Sequence, residues 1–124
     1  MSNCNGVAFS ADGSKLLVSD SNNNRVLIWN TVPATNGVQA DVVIGQTDFV
    51  TATGGASATK MTGPDGLSVT PDGKLLVCDK TNNRVLIFNS IPTSNGAPPR
   101  IARLTFPLGV LFHSGNCPLS SSGK

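Results

Sequence analysis

Residues 6–13 read Gly-Val-Ala-Phe-Ser-Ala-Asp-Gly, and residues 66–73 repeat the pattern as Gly-Leu-Ser-Val-Thr-Pro-Asp-Gly. The match continues in the same order: residues 16–20 (LLVSD) with 75–79 (LLVCD), and residues 23–30 (NNRVLIWN) with 82–89 (NNRVLIFN). A partial third copy of the opening follows at residues 107–112 (PLGVLF). Self-similarity of this extent indicates a repeat architecture in which each copy is one structural unit.

Each copy indicates short strands separated by turns. The Asp-Gly pairs at residues 12–13 and 72–73 are typical of hairpin turns. The predicted strands are residues 7–10, 15–19, 26–30 and 42–45 in the first copy, and residues 67–70, 74–78, 85–89 and, more weakly, 100–105 in the second. The third strand is apolar at consecutive positions, so both faces of its sheet must be covered. Stacked four-stranded antiparallel sheets are the blades of a β-propeller, and the predicted fold is therefore all-β.

Two segments, residues 20–26 (DSNNNRV) and residues 79–85 (DKTNNRV), resemble the NHL-repeat β-propeller family. Residues 41–49 (DVVIGQTDF) are similar to the longer bacterial variants of that family. The resemblance implies a propeller, usually of six blades, that most often acts as a platform for binding protein, RNA or small ligands. It also implies more distant relatives in the wider six-bladed group that are lyases or lactonases.

The number of copies predicts an incomplete ring, because propellers typically close with four to eight blades. We assign residues 1–60 to blade 1 with an insertion loop at 47–60, and residues 61–106 to blade 2. Residues 107–124 are expected to hold the first strand of a third blade and a flexible tail. Residues 101–105 (IARLT) replace the pattern of residues 42–46 (VVIGQ), so the outer strand of blade 2 is degenerate.

A polar motif recurs in both blades: Asp20, Asn23 and Arg25 in blade 1, and Asp79, Asn82 and Arg84 in blade 2. A functional interpretation makes the aspartates cation ligands or the arginines anion binders. A structural interpretation has each aspartate cap its turn, an asparagine take the left-handed conformation, and the arginine begin the next strand beside the carboxylate. Recurrence in both blades favours the structural interpretation, because an active site is usually asymmetric. No catalytic, metal-binding or cofactor-binding residue is predicted, and no cofactor.

The aromatic residues recur in register. Phe9 and Phe112 occupy one position of the first strand, and Trp29 and Phe88 one position of the third. This periodic placement predicts a core between blades and argues against a base-stacking surface. The insertion at 47–60 is not repeated and is poor in charged and aromatic residues, so we expect a flexible connector.

The remaining reactive residue types give weak signals. Cys78 stands where the first copy has Ser19, which marks a small-residue position and favours packing of an unpartnered thiol over reactivity. Three cysteines, Cys4, Cys78 and Cys117, cannot all pair within one chain. His113 is the only histidine and is expected at the surface.

Composition narrows the class of partner. The 124 residues are 39% hydrophobic and 13% charged, and the formal net charge is +2 with no cluster of either sign. Such a chain has a hydrophobic core but lacks the electrostatic signature of nucleic-acid or membrane binding. We therefore expect a protein partner or a second copy, including a trimer that completes six blades, and no nucleic acid or membrane. The sequence leaves the cell compartment open.

Two functional hypotheses remain. The first is a non-catalytic binding or scaffold module, because no nucleophile, base or metal set can be assembled from the sequence. The second is a fragment of a lactonase-like or lyase-like propeller enzyme whose catalytic residues lie on other blades. Glutamate, aspartate, asparagine or histidine converging on the central channel would favour the enzyme, and the chain contains no glutamate. An open arc of blades is expected to leave one face of each terminal blade in water, including apolar positions of residues 26–29 and 85–88, and so to self-associate.

Overall fold

The computed structural model describes residue 1 and residues 3–100, which contain seven strands. The strands are β1 (Cys4–Phe9), β2 (Leu16–Asp20), β3 (Arg25–Trp29), β4 (Val42–Ile44), β5 (Pro64–Val69), β6 (Leu75–Asp79) and β7 (Arg84–Phe88). They form an antiparallel sheet in the order β1-β2-β3-β4 and a second in the order β5-β6-β7. The only helical elements in this part of the chain are two short 3-10 turns, Ser21–Asn23 and Lys80–Asn82.

These sheets confirm the predicted all-β blades. Blade 1 has all four predicted strands, and each observed strand overlaps its predicted range. Blade 2 has three strands among the described residues. The described residues do not include the rest of the predicted outer strand of blade 2, the third copy, His113 or Cys117. Arg100 does donate its backbone N–H to the carbonyl of Ile87 at 2.7 Å, as Asp41 does to Ile28 at 2.9 Å where the outer strand of blade 1 begins.

The hairpin turns follow the predicted chemistry. Gly13 has φ of +78° and Gly73 has φ of +92°, a left-handed conformation that glycine adopts without steric cost. Asp12 accepts hydrogen bonds from the backbone N–H of Ser14 at 3.0 Å and from the Ser10 hydroxyl at 2.7 Å. These bonds lower the pKa of Asp12 to about 2, and the bond from the Ser14 backbone N–H has the largest effect. The turns need no bound cation to hold their carboxylates.

The principal core lies between the two blades. Leu17 and Ile28 are paired across β2 and β3 and face blade 2, while Val77 and Leu86 are paired across β6 and β7 and face blade 1. Eleven buried residues form this inter-blade core: Leu17, Val26, Ile28, Val42, Ile44, Met61, Leu67, Leu75, Val77, Leu86 and Phe88. Burial of this many apolar side chains is the main force that holds one blade on the other.

The first strands of the two blades, β1 and β5, are here called the inner strands, and they approach closely at Gly6. A Cβ atom on Gly6 would overlap the backbone carbonyl oxygen of Asp65 in β5 and would lie 2.9 Å from the Ser19 hydroxyl. The Ser21 hydroxyl also donates a hydrogen bond to the carbonyl of Pro64, which joins the blades at the same end. Glycine at position 6 is therefore required by a close backbone approach rather than by an unusual φ.

The opposite side of blade 1, here called the outer face, consists of Val7, Phe9, Leu16, Val18, Leu27 and Trp29, which share one side of the sheet by register. The prediction that apolar positions of residues 26–29 and 85–88 lie in water is wrong. Val26, Ile28, Leu86 and Phe88 lie in the inter-blade core, and Val85 is fully buried. Leu27 and Trp29 are buried against Ala40 and Phe49, so Trp29 lies outside the inter-blade core predicted for it. The Trp29 indole N–H also donates to the carbonyl of Val38 at 2.9 Å.

Apolar exposure falls instead on β1. Val7 is 55% exposed and Phe9 is 51% exposed, so the predicted inter-blade burial of Phe9 is wrong. The reason is direction: Phe9 pairs with Leu16 and shares its side of the sheet, which points away from blade 2. Phe88 does lie in the inter-blade core. The exposed part of the outer face is therefore the part that β1 forms.

Candidate functional site

The Asp-x-x-Asn-Asn-Arg motifs form matching turns in the two blades. In each, the aspartate ends one strand, a 3-10 turn follows, and the arginine begins the next strand directly opposite the aspartate. Asn24 (φ +56°) and Asn83 (φ +52°) take the left-handed conformation that closes the turn. Asparagine tolerates this conformation better than most residues do. The left-handed asparagine is therefore the second of each pair, not Asn23 or Asn82.

The carboxylates in these turns bind side chains. Asp20 is fully buried and accepts from the Nε of Arg25 at 2.8 Å and from the amide of Asn23 at 3.1 and 3.2 Å. It makes no side-chain capping bond to the 3-10 turn, so the capping part of the structural interpretation is wrong. A buried carboxylate needs such partners, because desolvation of an unpaired charge is costly.

Blade 2 repeats this arrangement. Asp79, also fully buried, accepts from the Nε of Arg84 at 2.6 Å and from the amide of Asn82 at 2.9 Å. Its other oxygen accepts from the backbone N–H of Thr62 at 2.8 Å. The turn of blade 2 is thereby tied to the segment that leads into its first strand.

The far ends of both arginines hold the insertion at 47–60. Arg25 donates from Nη1 to the carbonyl of Phe49 at 2.6 Å. Arg84 donates to three carbonyls: Ala56 at 2.8 Å, Ser57 at 2.8 Å and Lys60 at 2.6 Å. The insertion is more constrained than the flexible connector that its composition predicts, because the guanidinium groups of Arg25 and Arg84 bind four of its backbone carbonyls. With four of its five N–H donors engaged, Arg84 offers no free fork for an anionic ligand.

Sequence reasoning missed a second group of residues that links the insertion to both blades. Gln46 is 1% exposed and donates to the carbonyls of Asn24 and Thr53, each at 2.8 Å. The side chain of Asn24 accepts from the backbone N–H of Gly63 at 2.9 Å. Since residues 42–46 have no matching copy in blade 2, repetition gave no signal for Gln46.

Most of the remaining aspartates are held by local hydrogen bonds. The backbone N–H of Thr51 lowers the pKa of Asp48, and the ammonium of Lys74 lowers the pKa of Asp72 to about 2. Asp41 accepts from the backbone N–H of Asn30 at 2.7 Å. Short local bonds of this kind fix turns and do not leave a carboxylate free for chemistry.

Asp65, on the inner strand β5, differs from the other aspartates. It is 2% exposed, and its Oδ2 is the one buried side-chain oxygen or nitrogen of the described residues without a hydrogen bond. The Lys80 ammonium forms an ion pair with this oxygen at 3.9 Å, which is too long for a hydrogen bond. The sequence offers little signal for it, since the first copy has Asn5 at the same position. A buried carboxylate oxygen in this state can accept a proton donor or a cation.

The described residues offer few other reactive groups. In the described part of the chain, no three His, Cys, Asp or Glu side chains lie together as metal ligands, and no helix is long and apolar enough to cross a membrane. Cys4 is an exposed free thiol. Cys78 is buried and disulfide-bonded, so its interpretation as an unpartnered thiol is wrong.

Comparison with known families extends these observations. Residues 1–94 match the family model of the SMP-30/gluconolactonase/LRE-like region. This is a β-propeller family that is related to NHL repeats and includes lactonases. The match agrees with the predicted propeller blades, although the NHL family itself is not the one matched. No curated protein matches the chain.

The buried pairs predict unequal losses on truncation of the two arginines. We expect Arg84→Ala to lower the free energy of unfolding by about 3 to 5 kcal/mol, because it leaves the buried Asp79 unpaired. Arg25→Ala is expected to cost less, about 2 kcal/mol, since Arg25 is more exposed and releases one carbonyl instead of three. Chemical denaturation measures both, with the exposed Arg100→Ala as the control. Equal losses for all three variants would contradict the structural interpretation.

Proposed function

The chain belongs to the SMP-30/gluconolactonase/LRE-like family, and we propose that it acts as a non-catalytic binding module that docks a protein partner on the outer face of blade 1. The observation that carries this proposal is the exposure of Val7 and Phe9 on a face that is otherwise apolar. Contiguous exposed apolar surface on a folded domain typically marks an interaction site.

The second repeat supports a protein as the occupant. The positions equivalent to Val7 and Phe9 are Leu67, which is 3% exposed, and Val69, which is packed against the inter-blade core. In blade 2, therefore, the same side of the inner strand is covered by another blade. A partner that offers an apolar sheet face would cover Val7 and Phe9 in the same way.

A second copy of the chain is the partner that we propose. A trimeric ring would use the far side of blade 2, but Val85 and Cys78 on that side are already buried at 0% and 4% exposure. On the outer face of blade 1, by contrast, Val7 and Phe9 of β1 are exposed. Two copies related by a twofold axis could bury Val7 and Phe9 against each other, which is the commonest arrangement of homo-oligomers.

Sedimentation velocity tests this association. We expect the chain to self-associate over micromolar concentrations and the Val7→Ser, Phe9→Ser double variant to sediment as a monomer, because two exposed apolar side chains are removed from the contact. Val50→Ser is the matched control, since Val50 is 91% exposed but lies in the insertion. A monomeric parent chain, or equal association of the double variant, would contradict the proposal.

A second candidate function is that of a lactonase-like enzyme fragment, and Asp65 is the observation that favours it. Its buried, unbonded carboxylate oxygen lies on the inner strand, the position from which propellers line their central channel. Asp65 could serve there as a general base or as one oxygen ligand of a hard cation. Completing either site would need groups from outside the described residues.

Gluconolactone hydrolysis, with and without added calcium, separates the two functions. The binding-module proposal predicts that the chain and its Asp65→Asn variant hydrolyse the lactone no faster than buffer alone. Asp48→Asn is the control, because Asp48 lies in the exposed insertion. Hydrolysis by the parent chain that is lost in Asp65→Asn and kept in Asp48→Asn would instead establish the enzyme.

A further inference from the structure

A cavity of about 320 Å³ lies on the outer face of blade 1. Leu27, Trp29 and Phe49 form its apolar wall, and residues 37–40 form its rim. We call this cavity the outer groove. The exposed residues Val7 and Phe9, which belong to β1, do not line this groove.

The second repeat shows what fills the equivalent position. Leu86 and Phe88, the counterparts of Leu27 and Trp29, are buried in the core that also contains Val42 and Ile44 of β4. On the free edge of β4, Val43 donates its backbone N–H to the side chain of Asn95 at 3.0 Å and accepts from the backbone N–H of Gly96 at 2.9 Å. Asn95 and Gly96 thus hold both backbone polar groups of one residue of an extended strand.

The first repeat carries the same pair as Asn36 and Gly37. Gly37 has φ of +78°, close to the +69° of Gly96, so both glycines take the same left-handed conformation. A Cβ on Gly96 would contact the backbone of Gln46 and Thr47, whereas a Cβ on Gly37 would meet nothing within 4 Å. Asn36 is exposed. The pair is therefore preformed beside an open apolar groove.

We propose that the outer groove binds an extended segment of another polypeptide, with the pattern of β4: adjacent β-branched residues followed by glycine. Asn36 would accept the N–H of the central residue, and Gly37 would donate its N–H to the carbonyl of that residue. Flanking side chains would enter the groove against Leu27 and Trp29, because alternate residues of a strand share one side. Main-chain hydrogen bonds with apolar pockets are the usual basis of recognition by strand addition.

This inference rests on the proposed function only in that both place a protein on the outer face. It uses Asn36, Gly37 and the groove, whereas the self-association proposal uses Val7 and Phe9. Binding at the groove and sedimentation of the chain are separate measurements. Either proposal can therefore fail without the other.

A capped peptide of residues 41–47, Asp-Val-Val-Ile-Gly-Gln-Thr, is the probe. Trp29 is the only tryptophan and lines the groove, so its fluorescence reports occupancy directly. The measurement is made at a protein concentration below that of self-association. We expect saturable change with this peptide and none with the same peptide carrying proline in place of Val43, because proline lacks the N–H that Asn36 accepts.

Variants of the pair locate the binding. Asn36→Ala should weaken binding about fivefold to tenfold, the effect of one lost hydrogen bond. Asn36→Asp keeps an acceptor oxygen and should bind as the parent chain does, and Thr35→Ala in the same exposed loop is the control. Absence of a fluorescence change at millimolar peptide, equal binding of the proline peptide, or unchanged binding by Asn36→Ala would each overturn the proposal.

Discussion

The buried aspartate–arginine pair is the interaction on which the rest of the structure depends. Asp20 and Asp79 are fully buried, so each must be paired with a cation and with further donors to remain in place. Arg25 and Arg84 meet this need at one end and bind carbonyls of the insertion at the other. One interaction therefore closes the turn of each blade and orders the segment that connects the blades.

The connection matters because two sheets pack as neighbouring blades only when their relative placement is fixed. Gln46, Asn24 and Thr62 carry hydrogen bonds that link the insertion and its flanking residues to both blades, and the backbones of the two blades approach closely at Gly6. This placement leaves the outer face of blade 1 with unequal cover. Its middle, which includes Leu27 and Trp29 in the wall of the outer groove, is largely covered by Ala40 and Phe49, while Val7 and Phe9 are exposed.

The local features of the fold could be predicted from the sequence. Duplicated strands, Asp-Gly turns and the pairing of Arg25 with Asp20 depend on neighbours within about one hairpin, and the repeat shows each of them twice. Features set by distant contacts could not be predicted. The order of the insertion depends on Arg84, more than twenty residues away. Phe9 was misplaced because periodicity identifies a shared position but not whether a neighbouring blade covers it.

Native-state hydrogen exchange tests most directly whether the buried pairs couple the insertion to the blades. The backbone N–H groups of Thr62 and Gly63 bind Asp79 and Asn24, so they should open with the same free energy as the strand amides of Val26 and Leu86. A single shared opening free energy is the predicted result. Exchange of Thr62 and Gly63 at a clearly lower free energy than the strands would contradict the account, because the insertion would then open independently of the pairs.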